Sequence, residues 1–347
     1  MFTVPIIDVS PYADPASTPA QRAVVARQLD EAATDVGFMQ VVEHGISNES
    51  IDRLTEALDA FYDLPLEVKK KYARPGENRG YSPPKSESLS MSLGVAAANQ
   101  MNDFYEAFTV GSEGSWYEVD ELPVVSYPTN TWPDDAVERF RPAIEHWFAQ
   151  ARDLSRILLH AFTDALGLPA GYFDDLTDHS IDALKMNNYT LPEGEIELAG
   201  ELTGMGAHTD FGILTVLWAD RVPGLQVLDR GGIWHDVQPE KGALIVNLGD
   251  AMARWTNDRW LSTIHRVDPP VVDGRIIRRR SAAFFFDGNF DAVIETLPGC
   301  SRTDRPGYPP ITIAANINAK LAGMKRGVAP RDAEREAQRL ATAQSAR

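Results

Sequence analysis

A run of short strand-like segments between about Asp182 and Phe290 constrains the fold of this chain most strongly. Each segment is rich in β-branched, aliphatic or aromatic residues, and turn residues separate it from the next. The segments are LKMNNY, ILTVLWA, LQVLD, IWHDV, ALIVNL, HRVDPPVV and SAAFFF. Regular spacing of this kind favours a β-sandwich or a β-barrel over this part of the chain.

Outside this strand-rich region, helices are predicted before and after short strands along the sequence. Thr18-Pro19-Ala20-Gln21 has the composition of a helix start, with a capping threonine, an early proline and a glutamine three residues on. Another helix is predicted from near Ser47, after a buried strand at residues 37–42. The longest predicted helix covers residues 134–166, with Gly167 as its C-terminal cap. A surface helix or a frayed tail is expected at about residues 330–345.

Three candidate metal ligands lie within the strand-rich region. In a strand, residues i and i+2 point to the same face, so His208 and Asp210 can bind one metal while Thr209 points away. The third ligand, His265, must come from a different strand placed alongside. Two imidazoles and one carboxylate are the ligand set of non-haem Fe(II) oxygenases, which leaves metal positions open for substrate and O₂. A His-x-Asp pattern alone is common by chance, and the strand context is what favours a metal site here.

A second group of polar residues has the chemistry of a carboxylate anchor. Arg279 and Ser281 are also two apart and therefore share a face. A guanidinium binds a carboxylate through two parallel hydrogen bonds, and a hydroxyl adds a third. This combination suits the distal carboxylate of 2-oxoglutarate. Asn187 and Tyr189, from an earlier strand, are a further pair on one face that can contribute to the anchor.

The same alternation predicts which apolar residues line the site. Phe285 shares the face of Arg279 and Ser281, and Val267 shares the face of His265. Both are therefore candidates for the wall of a substrate pocket, although ordinary core packing explains them equally well. Arg278 and Arg280 point to the opposite face and are expected to be a solvated basic pair.

Charge and composition exclude several classes of partner and location. The net charge is −17 and the sequence pI is about 4.8, so the surface repels phosphate backbones and anionic lipids. We therefore predict that neither nucleic acid nor a membrane is a partner. The sequence contains no long apolar run and no pattern typical of a signal peptide, and it has one cysteine, Cys300. These features predict a cytoplasmic protein, and nothing in the sequence specifies its oligomeric state.

Motifs distributed over most of the chain carry a family resemblance. In the N-terminal part they are Pro5-Ile6-Ile7-Asp8, GFMQVVEHGI at residues 37–46 and Arg79-Gly80-Tyr81. In the core they are Asn187-Asn188-Tyr189, His208-x-Asp210, NLGD at 247–250, WTND at 255–258, STIHRV at 262–267 and Arg279-x-Ser281. In this order they resemble the isopenicillin N synthase-like family of Fe(II)/2-oxoglutarate-dependent dioxygenases, which includes many plant hormone and flavonoid oxygenases. The segment 190–205 lacks the Pro-Pro-Cys pattern of plant members, so plant substrate classes are not transferred.

The resemblance implies a mainly β fold with flanking helices. Its core is a distorted double-stranded β-helix, or jelly roll, with an α/β N-terminal lobe. The implied divisions are an N-terminal lobe at 1–115, a helical connection at 116–180, the Fe(II)/2-oxoglutarate core at 181–295, and a C-terminal extension with a helix at 296–347.

The resemblance also implies roles for individual residues. His208, Asp210 and His265 correspond to the catalytic iron ligands. Arg279 and Ser281, with Tyr189 and Asn187, correspond to the 2-oxoglutarate site. The residues that fall where related enzymes line the substrate pocket are Leu217, Leu225, Val267, Phe285 and Phe104. The implied cofactors are Fe(II), 2-oxoglutarate as co-substrate and O₂, with ascorbate as an accessory reductant.

The predicted function is hydroxylation, desaturation or cyclisation of a small metabolite, as in secondary metabolism. In that reaction 2-oxoglutarate and O₂ are converted to succinate and CO₂. Three alternatives stay open at this stage. One is an isopenicillin N synthase-type Fe(II) oxidase that uses no 2-oxoglutarate. The others are a non-catalytic ligand-binding relative and a zinc hydrolase with the same three ligands.

Overall fold

The computed structural model describes residues 2–84, 86, 105–190, 204–272, 275–304 and 306–326. The strands are β1 Ile6–Asp8, β2 Phe38–Val42, β3 Gly80–Ser82, β4 Glu106–Gly111, β5 Ala183–Tyr189, β6 Met205–His208, β7 Leu214–Ala219, β8 Leu225–Leu228, β9 Trp234–Asp236, β10 Leu244–Leu248, β11 His265–Val267, β12 Val271–Val272, β13 Arg275–Ile276, β14 Arg279–Phe286, β15 Val293–Ile294 and β16 Ile311–Thr312. The α-helices are α1 Ser10–Ala13, α2 Pro19–Asp35, α3 Asn48–Tyr62, α4 Leu66–Lys69, α5 Phe140–Leu166, α6 Asp250–Trp255 and α7 Ile313–Arg326.

Two sheets form the core. The larger has eight strands in the order β1-β2-β10-β7-β14-β5-β4-β3, and the smaller has four in the order β6-β11-β8-β9. Every pairing in these sheets is antiparallel except that of β1 with β2. Residues from both sheets line one cavity, as expected for two sheets packed face to face. This arrangement, with helices on the outside, confirms the predicted jelly-roll core.

Alternation along β14 separates the hydrophobic core from the cavity. Ala282, Phe284 and Phe286 belong to the main buried cluster. There Phe284 packs edge to face against Phe148 of α5, with 4.9 Å between the ring centroids. The intervening residues face the other way and line the cavity. One strand therefore holds the sheet against the helices and also supplies side chains to the site.

The helix starts and stops follow local chemistry. Thr18 and Gln21 form the predicted capping box at the start of α2, and Gly167 ends α5 in the left-handed conformation. The predicted start of the longest helix at residue 134 was wrong, because turns built on Pro133 occupy that segment and α5 begins at Phe140. Pro142 then lies in the first turn, where a missing N–H costs no intrahelical hydrogen bond.

Two further predictions concern less regular parts of the chain. HRVDPPVV was expected to be one strand, but it divides into β11 and β12 around two prolines, which cannot donate to a strand ladder. The expected helix or tail at 330–345 lies outside the described residues. Among the described helices, none is long and apolar enough to cross a membrane.

A buried ion pair links β4 of the larger sheet to helix α4. The Lys69 ammonium donates to both carboxylate oxygens of Glu106 at 2.7 and 3.0 Å. Glu106 also accepts from the Tyr81 hydroxyl at 2.5 Å and from the Asn188 amide at 2.8 Å. Because the carboxylate is satisfied by three side chains, its burial is compensated only while all three remain.

We predict that Lys69→Met lowers the free energy of unfolding by about 3–5 kcal/mol, because it leaves the Glu106 charge buried without its cation. The neighbouring Lys70 provides a matched control, since its ion pair with Glu67 is exposed to solvent. Lys70→Met should change stability by less than ~1 kcal/mol. Urea unfolding of both variants measures the difference, and equal midpoints would contradict the importance given to this ion pair.

Candidate active site

The three predicted metal ligands lie together at the edge of the smaller sheet. His208 is the last residue of β6 and His265 is the first residue of β11, and the two are directly opposite in the strand pairing. One carboxylate oxygen of Asp210, Oδ1, lies 3.9 Å from Nε2 of His208 and 3.7 Å from Nε2 of His265. All three ligand atoms are within 4.8 Å of one another, and all three residues are buried. This spacing fits one metal ion bound on one side.

Backbone carbonyls fix the orientation of both imidazoles. Nδ1 of His208 lies 2.8 Å from the Gly206 carbonyl, and Nδ1 of His265 lies 3.0 Å from the Thr263 carbonyl. A carbonyl oxygen can only accept, so each Nδ1 carries the proton and each Nε2 presents a lone pair. Burial, together with the charge of His265, lowers the pKa of His208 to about 3. The His208 ring is therefore neutral near neutral pH, as a metal ligand must be.

Two side chains hold the Asp210 carboxylate. The Thr215 hydroxyl donates to Oδ2 at 2.5 Å and the Asn247 amide donates to the same oxygen at 2.6 Å. Oδ1, the oxygen nearer the histidines, is thereby left to face the metal position. Burial alone would raise the pKa of Asp210, but the two histidines and the two hydrogen bonds outweigh it, and the pKa is lowered. Asp210 is therefore ionised and has a fixed orientation, as a metal ligand would need.

The backbone around Asp210 departs from the predicted strand. β6 ends at His208, so Asp210 lies in the connection to β7 rather than on the same strand as His208. The Asp250 amide at the start of α6 donates to the Asp210 carbonyl at 2.8 Å. Close packing supports this loop, because a Cβ on Gly249 would lie 2.2 Å from the Gly212 carbonyl oxygen. Contacts between loops, and not strand alternation alone, place the carboxylate.

The predicted carboxylate anchor lies on adjacent strands of the larger sheet. Arg279 is directly opposite Tyr189, and Ser281 is directly opposite Asn187. Arg279 is 2% exposed, and its guanidinium lies 5.1 Å from the centre of the Tyr189 ring. Nε and Nη1 of Arg279 find no acceptor among the described residues. Each buried N–H without a partner costs about 1–3 kcal/mol, so this guanidinium fits a bound anion.

The other residues of the predicted anchor, Ser281, Asn187 and Tyr189, also line the cavity. The side-chain amide of Asn187 donates from Nδ2 to the Ser281 hydroxyl oxygen at 3.4 Å. No described residue donates to the side-chain oxygen, Oδ1, of Asn187. Tyr189 directs its hydroxyl at the Met205 sulfur, 3.9 Å away. The site thus offers a cation and polar groups of both kinds to a carboxylate-bearing ligand.

One cavity contains the ligands, the anchor and the predicted apolar wall. Of the five residues expected to line a substrate pocket, four line this cavity: Leu217, Leu225, Val267 and Phe285. The fifth, Phe104, lies outside the described residues. Nearly all of the segment 190–205 also lies outside them. Ile317 and Leu321 of α7 line the same cavity.

Helix α7 is connected by polar contacts to the loop between β6 and β7, residues 209–213, which contains Asp210. The Lys320 ammonium lies 3.0 Å from Oδ2 of Asp250, which also accepts from the Thr209 hydroxyl at 3.2 Å. The Asn316 amide donates to the Phe211 carbonyl at 3.0 Å. Since Thr209 lies between two predicted ligands, the buried Lys320 stabilises the position of the loop through Asp250.

We predict that Lys320→Met raises the dissociation constant of Fe(II) by about tenfold to a hundredfold, the usual cost of losing a group that positions metal ligands. Lys241→Met is a matched control, because Lys241 is exposed on a loop before β10. Anaerobic Fe(II) titrations with a competing chelator provide the measurement. An unchanged affinity in Lys320→Met would show that α7 does not position the loop.

The two arginines that flank Arg279 are less exposed to solvent than predicted. Arg278 and Arg280 do point away from the cavity, but they are partly buried rather than freely solvated. Arg280 pairs with Asp59 of α3 at 2.6 Å, and Arg278 pairs with Asp63 at 2.7 Å. They therefore tie β14 to α3 while Arg279 faces the site.

Sequence analysis missed several residues that act on the site. Thr215 and Asn247 are directly opposite in the pairing of β7 with β10, but nothing local in the sequence identifies that pairing. Lys320 lies far from the ligands in the chain, and an isolated lysine gives no signal. Asp287 could have been found, because it continues the alternation of Arg279, Ser281 and Phe285.

Comparison with known proteins identifies the family. Residues 181–288 match the 2OG-Fe(II) oxygenase superfamily, and residues 4–135 match the region described as non-haem dioxygenase in morphine synthesis N-terminal. The chain belongs to the 2OG-Fe(II) oxygenase superfamily. The predicted isopenicillin N synthase-like resemblance is therefore confirmed, and the protein is a 2-oxoglutarate-dependent dioxygenase that requires Fe(II) and O₂.

Relatives of this oxygenase match over most of their length. A 2-oxoglutarate-Fe(II) type oxidoreductase of Emericella nidulans is 36% identical, over 89% of this chain and 86% of the relative. A proline hydroxylase of Petromyces alliaceus is 32% identical, over 82% and 88%. The crystal structure of a full-length Neurospora crassa protein in complex with alpha-KG and thymine is similar, with a TM-score of 0.77, 26% identity, and coverage of 92% of this chain and 96% of that one. Their names include two different small molecules, proline and thymine, so membership of the family alone does not define a substrate.

Proposed function

We propose that His208, Asp210 and His265 bind the iron of this oxygenase through the two Nε2 atoms and Oδ1 of Asp210. The support is that three buried potential ligand atoms converge within 4.8 Å beside a cavity that also contains Arg279, whose Nε and Nη1 have no acceptor among the described residues. A cation held by one carboxylate and two neutral imidazoles is satisfied on one side only. The opposite side faces the cavity and is left for co-substrate and O₂.

We further propose that Arg279 binds the distal carboxylate of 2-oxoglutarate. Ser281 and Tyr189 complete this anchor, and Asn187 holds the Ser281 hydroxyl in place. Nε and Nη1 of Arg279 have no acceptor among the described residues and can donate to a carboxylate, and burial strengthens the interaction. The alternative oxidase would use this guanidinium for the carboxylate of its substrate, so the arginine alone does not separate the two activities.

In the reaction that we assign, bound Fe(II) and 2-oxoglutarate supply O₂ activation and oxidation of a substrate C–H bond, with release of succinate and CO₂. The residues of the chain supply position and exclusion of water. Thr215 and Asn247 hold Asp210, and the carbonyls of Gly206 and Thr263 hold the imidazoles. The apolar wall of the cavity keeps water from the reacting position.

The substrate that we propose is a small metabolite that undergoes hydroxylation. The naming of one relative as a proline hydroxylase supports the reaction type. The cavity wall, which includes Leu217, Leu225, Val267 and Phe285, supports a partly apolar molecule. A cytoplasmic location stays a prediction whose support is the single cysteine, Cys300, which is buried and free.

Metal-dependent succinate formation tests this function. Protein stripped of metal is loaded with Fe(II) or Zn²⁺ and supplied with 2-oxoglutarate, O₂ and a library of small metabolites. We expect succinate and O₂ uptake with Fe(II) only, increased by the true substrate. O₂ uptake without succinate would identify an isopenicillin N synthase-type oxidase. Activity with Zn²⁺ alone would identify a hydrolase, and no turnover with any metabolite would favour a non-catalytic relative.

A further inference from the structure

Asp287 is a buried acidic residue in the cavity that neither the iron site nor the 2-oxoglutarate anchor uses. It follows β14 directly and is the next residue after Phe285 on the cavity face. Its side chain is buried, with 7% of the residue exposed. Asp287 also lines a neighbouring depression that contains Arg79 and Glu77, so it lies where the two spaces adjoin.

No described residue donates a hydrogen bond to the Asp287 carboxylate or forms an ion pair with it. The nearby Arg79 instead donates to the backbone carbonyls of Asn78 and Ser112. Asp182, another buried acid in this region, differs in this respect. It pairs with Arg152 at 2.9 Å and accepts a hydrogen bond from Ser180. Asp182 therefore has side-chain partners, whereas Asp287 lines the cavity without one among the described residues.

Burial raises the pKa of Asp287 well above its usual range, and the charges of Asp182 and Asp210 raise it further against the opposing effect of Arg79. A carboxyl group in these surroundings is ionised at low cost only when a cation accompanies it. The charge of Arg79 does not offset these effects, so a cation that a ligand brings into the cavity would stabilise the ionised form of Asp287.

The position of Asp287 relative to the metal ligands separates it from the co-substrate. Thr215, which holds Asp210, is directly opposite Phe285, and Asp287 lies two residues after Phe285, just beyond the end of β14. Arg279 lies at the other end of the same strand. A co-substrate that reaches from the metal to Arg279 therefore extends away from Asp287. The space beside Asp287 is therefore available to the substrate.

We propose that Asp287 is a specificity-determining residue that binds a basic nitrogen of the substrate, so the oxygenase acts on a small amine or another cationic nitrogen compound. This inference rests on the proposed function, because it takes the cavity beside the metal ligands as the substrate site. The cation of the substrate completes a charge-assisted hydrogen bond to Asp287, and Phe285 provides an aromatic surface next to it. Neutral analogues of the same shape leave the acid unpaired and bind more weakly.

Matched pairs of small molecules test the proposal. Each amine is compared with a neutral isostere: benzylamine with benzyl alcohol, L-arginine with L-citrulline, and piperidine with tetrahydropyran. Binding is measured by anaerobic calorimetry on the full chain loaded with Fe(II) and 2-oxoglutarate. We expect the amine of at least one pair to bind about tenfold or more tightly than its isostere, as a charge-assisted hydrogen bond provides.

Two variants separate the role of Asp287 from a general effect of charge. Asp287→Asn keeps the shape of the side chain and should reduce the preference for the amine to below about threefold. Asp153→Asn makes the same change of charge at an exposed position on α5 and should keep the full preference. Melting curves establish that both variants are folded.

The proposal is overturned if no amine is preferred by the wild-type protein, or if the preference persists in Asp287→Asn. Preferred binding of the neutral members would indicate a protonated Asp287 that donates to a substrate oxygen, which also overturns it. A separate titration with 2-oxoglutarate is made on the same samples. Failure of the wild-type protein to bind 2-oxoglutarate would contradict the proposed function, independently of the amine comparison.

Discussion

A His265→Ala variant is expected to lose turnover by at least about a thousandfold, which corresponds to ~4 kcal/mol in the activation barrier. In the proposed iron site His265 supplies one of three protein ligands, and its Nε2 lies 3.7 Å from Oδ1 of Asp210. Without it, the site retains one imidazole and one carboxylate, and the affinity for Fe(II) falls with the activity. Parallel measurements of bound iron and of succinate formation give both quantities.

A matched histidine variant controls for nonspecific damage. His160 lies on α5, is exposed and pairs only with Asp174 among the described residues. His160→Ala should bind iron and turn over like the wild-type protein. If His265→Ala retained full iron content and a substantial part of the activity, the assignment of His265 as a ligand would be wrong.

An Arg279→Leu variant is expected to raise the KM for 2-oxoglutarate by about a hundredfold, because truncation of a buried partner to a carboxylate costs roughly 2–5 kcal/mol. The iron ligands are unchanged, so kcat at saturating 2-oxoglutarate should fall much less than the KM rises. Arg279→Lys keeps the charge but loses the two parallel hydrogen bonds, so its KM should lie between the two. Succinate formation as a function of 2-oxoglutarate concentration measures these parameters.

The neighbouring Arg278 offers a control in the same sequence run. Its side chain points away from the cavity, where it pairs with the exposed Asp63, just after α3, and donates to the side-chain oxygen of Asn188. Arg278→Leu should leave the KM for 2-oxoglutarate within about twofold of the wild-type value, since surface ion pairs contribute ~1 kcal/mol or less. A KM that rises equally in Arg278→Leu and Arg279→Leu would show that the effect belongs to the strand rather than to the anchor.

The sequence predicted those parts of the site that follow from strand alternation. Arg279, Ser281 and Phe285 were expected on one face, and all three line the cavity together with Asn187 and Tyr189. The period of two in a strand makes such predictions reliable, because it fixes the direction of each side chain before the pairing of strands is known.

Features that depend on pairing between distant segments could not be predicted from the sequence. The hydrogen bonds from Thr215 and Asn247 to Asp210 require β7 and β10 to be adjacent. The contact between Lys320 and Asp250 requires α7 to lie beside the start of α6. Asp210 was predicted to lie on the same strand as His208, but that strand ends at His208. A loop whose backbone is bonded to the start of α6 keeps the Asp210 carboxylate near the histidines instead, and the sequence does not indicate this contact.

The most direct test of the proposed site is an anaerobic titration of the Fe(II)-loaded protein with 2-oxoglutarate, followed by visible absorption and calorimetry. We expect a weak charge-transfer band that saturates near one equivalent of 2-oxoglutarate. The band should be absent in His265→Ala and should require much higher concentrations in Arg279→Leu. If the wild-type protein shows neither a band nor heat of binding, the cavity does not hold iron and 2-oxoglutarate in the proposed way.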